Sequence, residues 1–387
     1  MSHRTWIELD TNAVKANVAT LKSLLQPETR FCAVVKANAY GHGLLPMSEL
    51  LRAEGVDAFA VDTIADALTL KDAFPTAFVL VLGYVMSEDL PNAIKADIHL
   101  TVADKSRIRE LQSVASELDK QAFIHLKIET GTMRQGVDMV NLGDVLEEIK
   151  TSSNVVLSGL STHYANLEDT SDAKFAGEQF ERFSEAERMV LDAGFSPEFI
   201  HTACSAGIIL YPALHGTMVR AGISMYGLWS DKDVEMAVLH HRIRCTLQPV
   251  LSFKTRVAQI KTARVGTPIG YGMTETMPRN GRIAVIPVGY FDGMDRRLSS
   301  RGEVLIKGHR CKVMGRICMN MMMVDVSNVP TLVPGDEVVI LGRSGAHSIT
   351  AYDIARTMGT IPYEFIACLN PLIPRVIKQT ATEEENE

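Results

Sequence analysis

Phe31-Cys32-Ala33-Val34-Val35-Lys36 is an unbroken apolar run that ends abruptly in a lysine. A strand with one wet face alternates apolar and polar residues. A run without that alternation suits a strand buried on both faces, as in a parallel sheet covered by helices. Comparable short, β-branched runs begin near Asp57, Ala77, His99, Ala122, Val155, Pro197 and Thr217, separated by amphipathic or polar helix-like segments. Upstream, Val14, Val18, Leu21 and Leu25 share one helical face behind Thr11, a residue able to cap that helix. Eight buried strands alternating with helices predict a parallel (β/α)8 barrel, and the region suits the roughly 250 residues typical of that fold. A doubly wound open sheet is the structural alternative.

Beyond Leu247-Gln248-Pro249 the texture changes to short runs (Val250 to Val257, Ile283 to Val288, Glu303 to Ile306, Glu337 to Leu341) separated by Gly, Pro, Asn and Asp. This predicts a second, mainly β domain, with which the strand-like Thr5 to Leu9 could pair. The expected class is therefore α/β, a TIM-type (β/α)8 barrel followed by a mainly β domain. The barrel would span residues 10–240 and the β domain 1–9 with 241–378; an acidic, disordered tail would occupy 379–387.

With 46% hydrophobic and 22% charged residues in 387, the composition is that of a soluble globular chain. The net charge of −7 is dispersed apart from the tail Glu383-Glu384-Glu385-Asn386-Glu387, which gives no reason to expect a nucleic-acid partner. No apolar core of signal-peptide length opens the chain and no stretch reaches the roughly 18 apolar residues of a membrane span, so a cytoplasmic location is expected. Six cysteines without a Cys-x-x-Cys pair read as free, mostly buried thiols, and no cluster has metal-ligand spacing.

In a parallel barrel the reactive groups sit at the C-terminal ends of the strands. There the sequence places Lys36; Lys127 followed by Gly131 to Gly136; Thr162-His163-Tyr164; Thr202-Ala203-Cys204-Ser205; and Val219-Arg220-Ala221-Gly222-Ile223. A lysine closing an apolar strand loses hydration, which depresses its pKa and makes the neutral amine available for Schiff-base chemistry. The plainer reading is a strand-end lysine reaching solvent. Gly41 and Gly43 allow a tight turn, Tyr40 can donate to a phosphate oxygen, and Ser205 with the Gly222 and Ile223 amides falls where barrels often bind phosphate.

Taken together, these elements resemble the alanine racemase family of barrel-type pyridoxal-phosphate enzymes. The resemblance runs through Ala33-Val34-Val35-Lys36-Ala37-Asn38-Ala39-Tyr40-Gly41-His42-Gly43, His201-Thr202-Ala203, Arg220 to Gly227, Gly270-Tyr271-Gly272, Gly289 to Gly293 and Gly315-Arg316-Ile317-Cys318-Met319. It implies that Lys36 carries pyridoxal phosphate as a Schiff base and acts as one of two acid-base groups. Tyr271 would be the other, supplied by the partner subunit of a homodimer. Arg220 would meet the pyridine nitrogen; Tyr40, Ser205, Gly222, Ile223 and Tyr363 the phosphate; and Arg134 the phenolic oxygen. His163 and His201 would lie near the cofactor, with Arg134, Tyr271, Tyr290 and Met319 on the side of a small amino-acid substrate. Two bases on opposite faces are the simplest way to invert a Cα centre. Arginine, which stays protonated, gives the ring no proton and makes it a weaker electron sink.

Some assignments have plainer competitors. His163 and His201 could be barrel-end histidines bonded to backbone carbonyls, and Ser205 could cap the next helix. Lys127 matches a lysine carbamylated in some relatives but could be an ordinary salt-bridging lysine, and Met321-Met322-Met323 reads as core. The chain also departs from the family, with Asn320 where aspartate is usual and Cys204 where asparagine is usual. A broader-specificity amino-acid racemase is thus the alternative to an alanine enzyme. A non-catalytic pyridoxal-phosphate carrier would lack the second domain, and a related decarboxylase would be expected to carry a glycine-rich phosphate run, whereas this chain has no Gly-Gly pair.

Overall fold

The computed structural model describes residues 3–378, so the tail expected at 379–387 lies outside the described residues. Its first strand, β1 (Thr5–Asp10), leads into a helix over Thr11–Ser23. Thr11 is the first helical residue rather than the residue before it, and its hydroxyl donates to the Lys378 carbonyl at 3.2 Å. Val14, Val18 and Leu21 are buried as their spacing requires, but Leu25 lies past the helix end and is half-buried. The reason is local: Leu24 N and Leu25 N donate to the carbonyls three residues back, tightening the last turn and ending the helix.

The eight apolar runs become β2 (Arg30–Val34), β3 (Ala58–Val61), β4 (Phe78–Val81), β5 (His99–Val102), β6 (Ala122–Lys127), β7 (Val155–Ser161), β8 (Phe199–His201) and β9 (Met218–Ala221). All neighbours are parallel, in the order β8-β7-β6-β5-β4-β3-β2-β9. Thr217 N donating to Ile200 O (3.0 Å) and Arg220 N to Ala203 O (3.1 Å) join the two end strands, which excludes the open-sheet alternative. Every residue of β3 and β9 is buried. Phe59, Val61, Met218 and Val219 among them each contribute about 1.5–3 kcal/mol relative to exposure. Inside this apolar layer Asn17 is satisfied at both ends, its Nδ2 donating to Gln248 O (2.8 Å) and its Oδ1 accepting from Gln248 N (2.8 Å).

The chain divides into two compact units, one made of Ala13–Ala37 and Ser48–Gln248, the other of residues up to Asn12, Asn38–Met47 and those from Pro249 onward. The second unit is mainly β. Its strands are β10 (Leu251–Arg256), β11 (Gln259–Ala263), β12 (Pro268–Ile269), β13 (Glu275–Thr276), β14 (Gly281–Ile286), β15 (Glu303–Ile306), β16 (His309–Met314), β17 (Met322–Asp325), β18 (Glu337–Ser344), β19 (His347–Ile349) and β20 (Arg375–Lys378). The large sheet runs β11-β14-β17-β16-β15-β18-β10-β1-β20. As expected, β1 joins it, antiparallel to β10 (Ile7 opposite Phe253) and parallel to β20 (Leu9 opposite Ile377). The methionine run is not uniformly core. Met322 is buried and Met323 half-buried by the alternation of β17, whereas Met321 is exposed in a turn closed by Cys318 N donating to its carbonyl. The six cysteines are free: Cys32, Cys245 and Cys311 are buried, Cys204 and Cys318 half-buried, Cys368 exposed. Among the described residues no helix is long and apolar enough to cross a membrane.

Candidate active site

Lys36 follows β2, whose Cys32 lies opposite Arg220 of β9. The end of that strand is held by Val35 N donating to Ala60 O (2.9 Å) and by the Tyr226 hydroxyl donating to Val34 O (2.8 Å). Lys36 itself is half-buried. The next four residues, Ala37, Asn38, Ala39 and Tyr40, have φ of 53°, 55°, 52° and 52°, a turn of left-handed helix made without glycine. Each such residue costs about 1–2 kcal/mol, and strain of this kind persists only where its surroundings over-determine it. The Asn38 side chain accepts from Leu44 N (3.0 Å) and its carbonyl from Gly43 N (2.8 Å). Arg375 forks onto the Gly41 carbonyl through Nε (3.2 Å) and Nη2 (2.7 Å). Gly41, at φ 80°, also admits the Ile366 carbonyl, since a Cβ there would stand 1.9 Å from Ile366 O.

Lys127 ends β6 and donates to Gln135 Oε1 at 3.3 Å. Burial first, then the charges of Arg134, Arg220 and Lys36, push its pKa down to about 8. The following loop wraps around Glu129, whose carboxylate accepts from Gly131 N (2.6 Å), the Thr132 hydroxyl (3.2 Å) and Arg134 N (3.2 Å). Those backbone donors hold Glu129 below the usual carboxylate range despite its partial burial. The exposed Arg134 is thereby fixed at its backbone. His163 is pushed down to about 3, mainly by burial and then by Arg220, Arg134, Lys127 and Lys36. It is therefore a neutral imidazole among four cations.

Arg220 is buried, and four of its five N–H groups are used within the barrel. Nη1 donates to His201 Nδ1 (2.6 Å) and His201 O (2.5 Å), and Nη2 to Thr162 O (2.8 Å) and Thr202 O (3.2 Å). Among the described residues Nε–H alone has no protein partner. One remaining donor suits a single neutral acceptor such as a ring nitrogen. His201 is thus bonded to side chains rather than to backbone carbonyls alone, because Arg220 claims its Nδ1.

Ser205 opens the helix Ser205–Leu210, and its hydroxyl accepts from Gly222 N and Ser224 N, both at 3.2 Å. It acts between elements rather than as the cap of its own helix. Neither Cys204, before that helix, nor Gly222, before the turn Ile223–Tyr226, supplies a side-chain cap. The Ser224 hydroxyl is buried with no partner among the described residues. Amides and hydroxyls gathered this way fit an anion of phosphate type.

The remaining candidates belong to the other unit. Tyr271 is 73% exposed on a turn whose Gly270 and Gly272 have φ of 72° and 74°; a Cβ on Gly272 would stand 3.0 Å from Arg316 Nη1. Tyr290 and Met319 are brought together by Tyr290 N donating to Cys318 O and Phe291 N to Met319 O, both at 3.0 Å. Gly289 makes room there, since a Cβ would meet Cys318 O at 2.2 Å. Tyr40 and Tyr363 face each other with ring centroids 6.1 Å apart. The sequence reading missed Glu129, Ser224, Tyr226, Arg375 and His125, whose ring bonds to His201. His125, three residues into an apolar strand, and Glu129, just beyond its end, were the visible signals.

Comparison with known proteins agrees with this fold. The family models described as alanine racemase N-terminal and C-terminal domains match residues 9–230 and 250–377. The alanine racemase of Methanococcus maripaludis is 35% identical over 377 residues, covering 97% of this chain and 99% of its own. The structure of that from Clostridium difficile 630 superposes with a TM-score of 0.91 at 31% identity, covering 98% of this chain and 96% of its own. The structure from Bartonella henselae, with covalently bound pyridoxal phosphate, has a TM-score of 0.83 at 26% identity over 97% of this chain and 100% of its own. Matched over nearly its whole length by these two models and by a relative 35% identical to it, the chain belongs to the alanine racemase family.

Proposed function

We propose that this protein interconverts L- and D-alanine with pyridoxal phosphate held on Lys36 of the barrel unit, Tyr271 being carried by the mainly β unit. The family depends on that cofactor. The seating of Arg220 carries the reading: four N–H groups are fixed on barrel acceptors and Nε–H is left for a ring nitrogen, on the strand next to the one that Lys36 follows. Ser205, Ser224 and the Gly222 and Ile223 amides would hold the phosphate, joined by Tyr40 and Tyr363, with Arg134 at the phenolic oxygen and the neutral His163 close by. When bound, the cofactor acidifies the substrate Cα–H by drawing its electrons into the ring.

The Lys36 amine takes or returns the Cα proton on one face, and the Tyr271 phenol does so on the other, supplied by a second copy of the chain in a homodimer. Tyr290 and Met319 flank the substrate. Arg220, permanently protonated, gives the ring nitrogen a hydrogen bond and no proton, which favours reprotonation at Cα over side reactions. Lys36→Ala should abolish the absorbance band of the protein-linked cofactor, and persistence of the band would remove the assignment. Tyr271→Phe should lower turnover by at least about 100-fold, the usual worth of an acid-base group, while leaving the cofactor bound.

Asn320 and Cys204, at positions where the family usually has aspartate and asparagine, favour a second reading, a racemase of broader side-chain range. A panel of L-amino acids scored for deuterium exchange at Cα and for D-product separates the two. Exchange confined to alanine supports the first reading, and comparable exchange on serine or larger side chains the second.

A further inference from the structure

The hydrogen bonds that seat Arg220 continue past His201. His201 Nε2 lies 2.7 Å from His125 Nδ1, and His125 Nε2 lies 3.1 Å from His99 Nδ1. The four side chains belong to β9, β8, β6 and β5, and they run from the candidate site to the first residue of β5, at the opposite end of the barrel. The skipped strand is β7. Its Gly159 stands opposite His125 in register, and a Cβ there would be 2.2 Å from His125 Nδ1. Phe199 stacks on the His125 ring (centroids 5.6 Å apart, planes at 10°) and Phe123 on the His99 ring (5.0 Å, 17°). The barrel is thus shaped around this path.

The direction of the chain follows from donor counting. A guanidinium only donates, so His201 Nδ1 must accept from Arg220. A neutral His201 then carries its proton on Nε2 and donates to His125 Nδ1. By the same step His125 is protonated on Nε2 and donates to His99 Nδ1, leaving the His99 proton on its own Nε2. Any other arrangement of three neutral rings brings two protons or two lone pairs face to face. Burial holds His125 and His201 well below the ordinary histidine range and pushes His99 down to about 4, so neutral rings are expected near neutral pH.

We propose that His201, His125 and His99 form a one-way hydrogen-bond relay, each protonated on Nε2, through which the floor of the barrel positions Arg220. The proposal rests on the reading of Arg220 as the partner of the cofactor's ring nitrogen. Bonds in such a series polarise one another, so His201 Nδ1 becomes a better acceptor than a lone imidazole and holds the guanidinium in line. The relay carries no proton from Arg220, whose guanidinium keeps its protons. His125 and His99 are positioning residues acting on the ring end of the site from within the barrel.

The test uses the full chain with 15N-labelled histidines, loaded with pyridoxal phosphate, and a correlation experiment that distinguishes protonated from bare ring nitrogens. Three side chains should show a proton on Nε2 and a bare Nδ1; a proton on Nδ1 of any of the three, or on both nitrogens, overturns the relay. Two variants give a second arm that tolerates partial loss of stability. His99→Asn places an amide oxygen where Nδ1 stood and should match the parent. His99→Gln, whose amide falls where Nε2 stood, should shift the His201 resonances and hold pyridoxal phosphate about three- to tenfold more weakly, the worth of one lost hydrogen bond. Equal behaviour of the two variants overturns the proposal. Failure of the cofactor reading is distinguishable, since it would appear in Lys36→Ala while the histidine signals stayed as predicted.

Discussion

Gly159 shows how much one missing methyl decides. Its Cβ would occupy the space of the His125 imidazole, 2.2 Å from Nδ1, so Gly159→Ala must displace that ring. Overpacking of this kind costs about 1–3 kcal/mol, and a fall in the urea midpoint with altered His125 and His201 signals is the expected result. Lys127 offers a second residue-scale prediction. Near its pKa of about 8 a useful fraction of the amine is neutral, and the neutral form can add carbon dioxide to give a carbamate beside Arg134. Intact mass measured with bicarbonate should show one added carbon dioxide that is absent in Lys127→Ala and lost as acid protonates the amine. At this scale Lys36 and Arg220 were legible because a charged residue ending an apolar run is conspicuous. The relay was not. His125 and His201 are 76 positions apart and look like two unrelated polar interruptions until the strands are side by side.

Among the elements, the left-handed turn after Lys36 was the least legible. Gly41 and Gly43 announce a tight turn, but Ala37, Ala39 and Tyr40 carry no sign of positive φ, and one of the groups that secures the segment, Arg375, is 334 positions from Gly41. Replacing an exposed helical alanine by glycine ordinarily costs up to about 1 kcal/mol. Ala37→Gly should instead be neutral or stabilising by up to about 1 kcal/mol, because glycine removes the Cβ penalty of the left-handed conformation. A denaturation midpoint that falls by the ordinary amount would contradict it. Gly41→Ala has the opposite sign, combining that penalty with a clash against Ile366 O, and should cost on the order of 3 kcal/mol. The barrel strands, by contrast, were readable to within about two residues, because burial on both faces writes itself as uninterrupted apolar sequence. The β unit was read only in part. Strands such as β11 (burial exposed at both Gln259 and Lys261) and the two-residue β12 and β13 lack an apolar pattern to read.

For the whole molecule, histidine burial sets the response to acid. His42 and His99 are pushed down to about 4 and His163 to about 3, and His125 and His201 lie well below their ordinary range. An unfolded histidine titrates near 6.5, so between roughly pH 6.5 and 4 the unfolded chain binds more protons than the folded one. Stability should therefore fall as pH drops through that window, by about 1.4 kcal/mol per pH unit for each such group, and the urea midpoint should fall from pH 7 to pH 5. His99→Asn should reduce that slope by about one proton. At this scale the two-part organisation was legible as a change of texture near Pro249, but the return of residues 38–47 to the β unit was not, since ten residues give no compositional signal. The place of β1 has a consequence for how the protein is made. β1 is made long before its sheet neighbours β10 and β20, which begin at Leu251 and Arg375. At about 5–20 residues per second the strand waits roughly 20–70 s for its last partner. Until β10 is made, Trp6, Ile7 and Leu9 have no strand of this sheet to pair with, so a chain interrupted before Leu251 should aggregate more readily than one interrupted after Arg256.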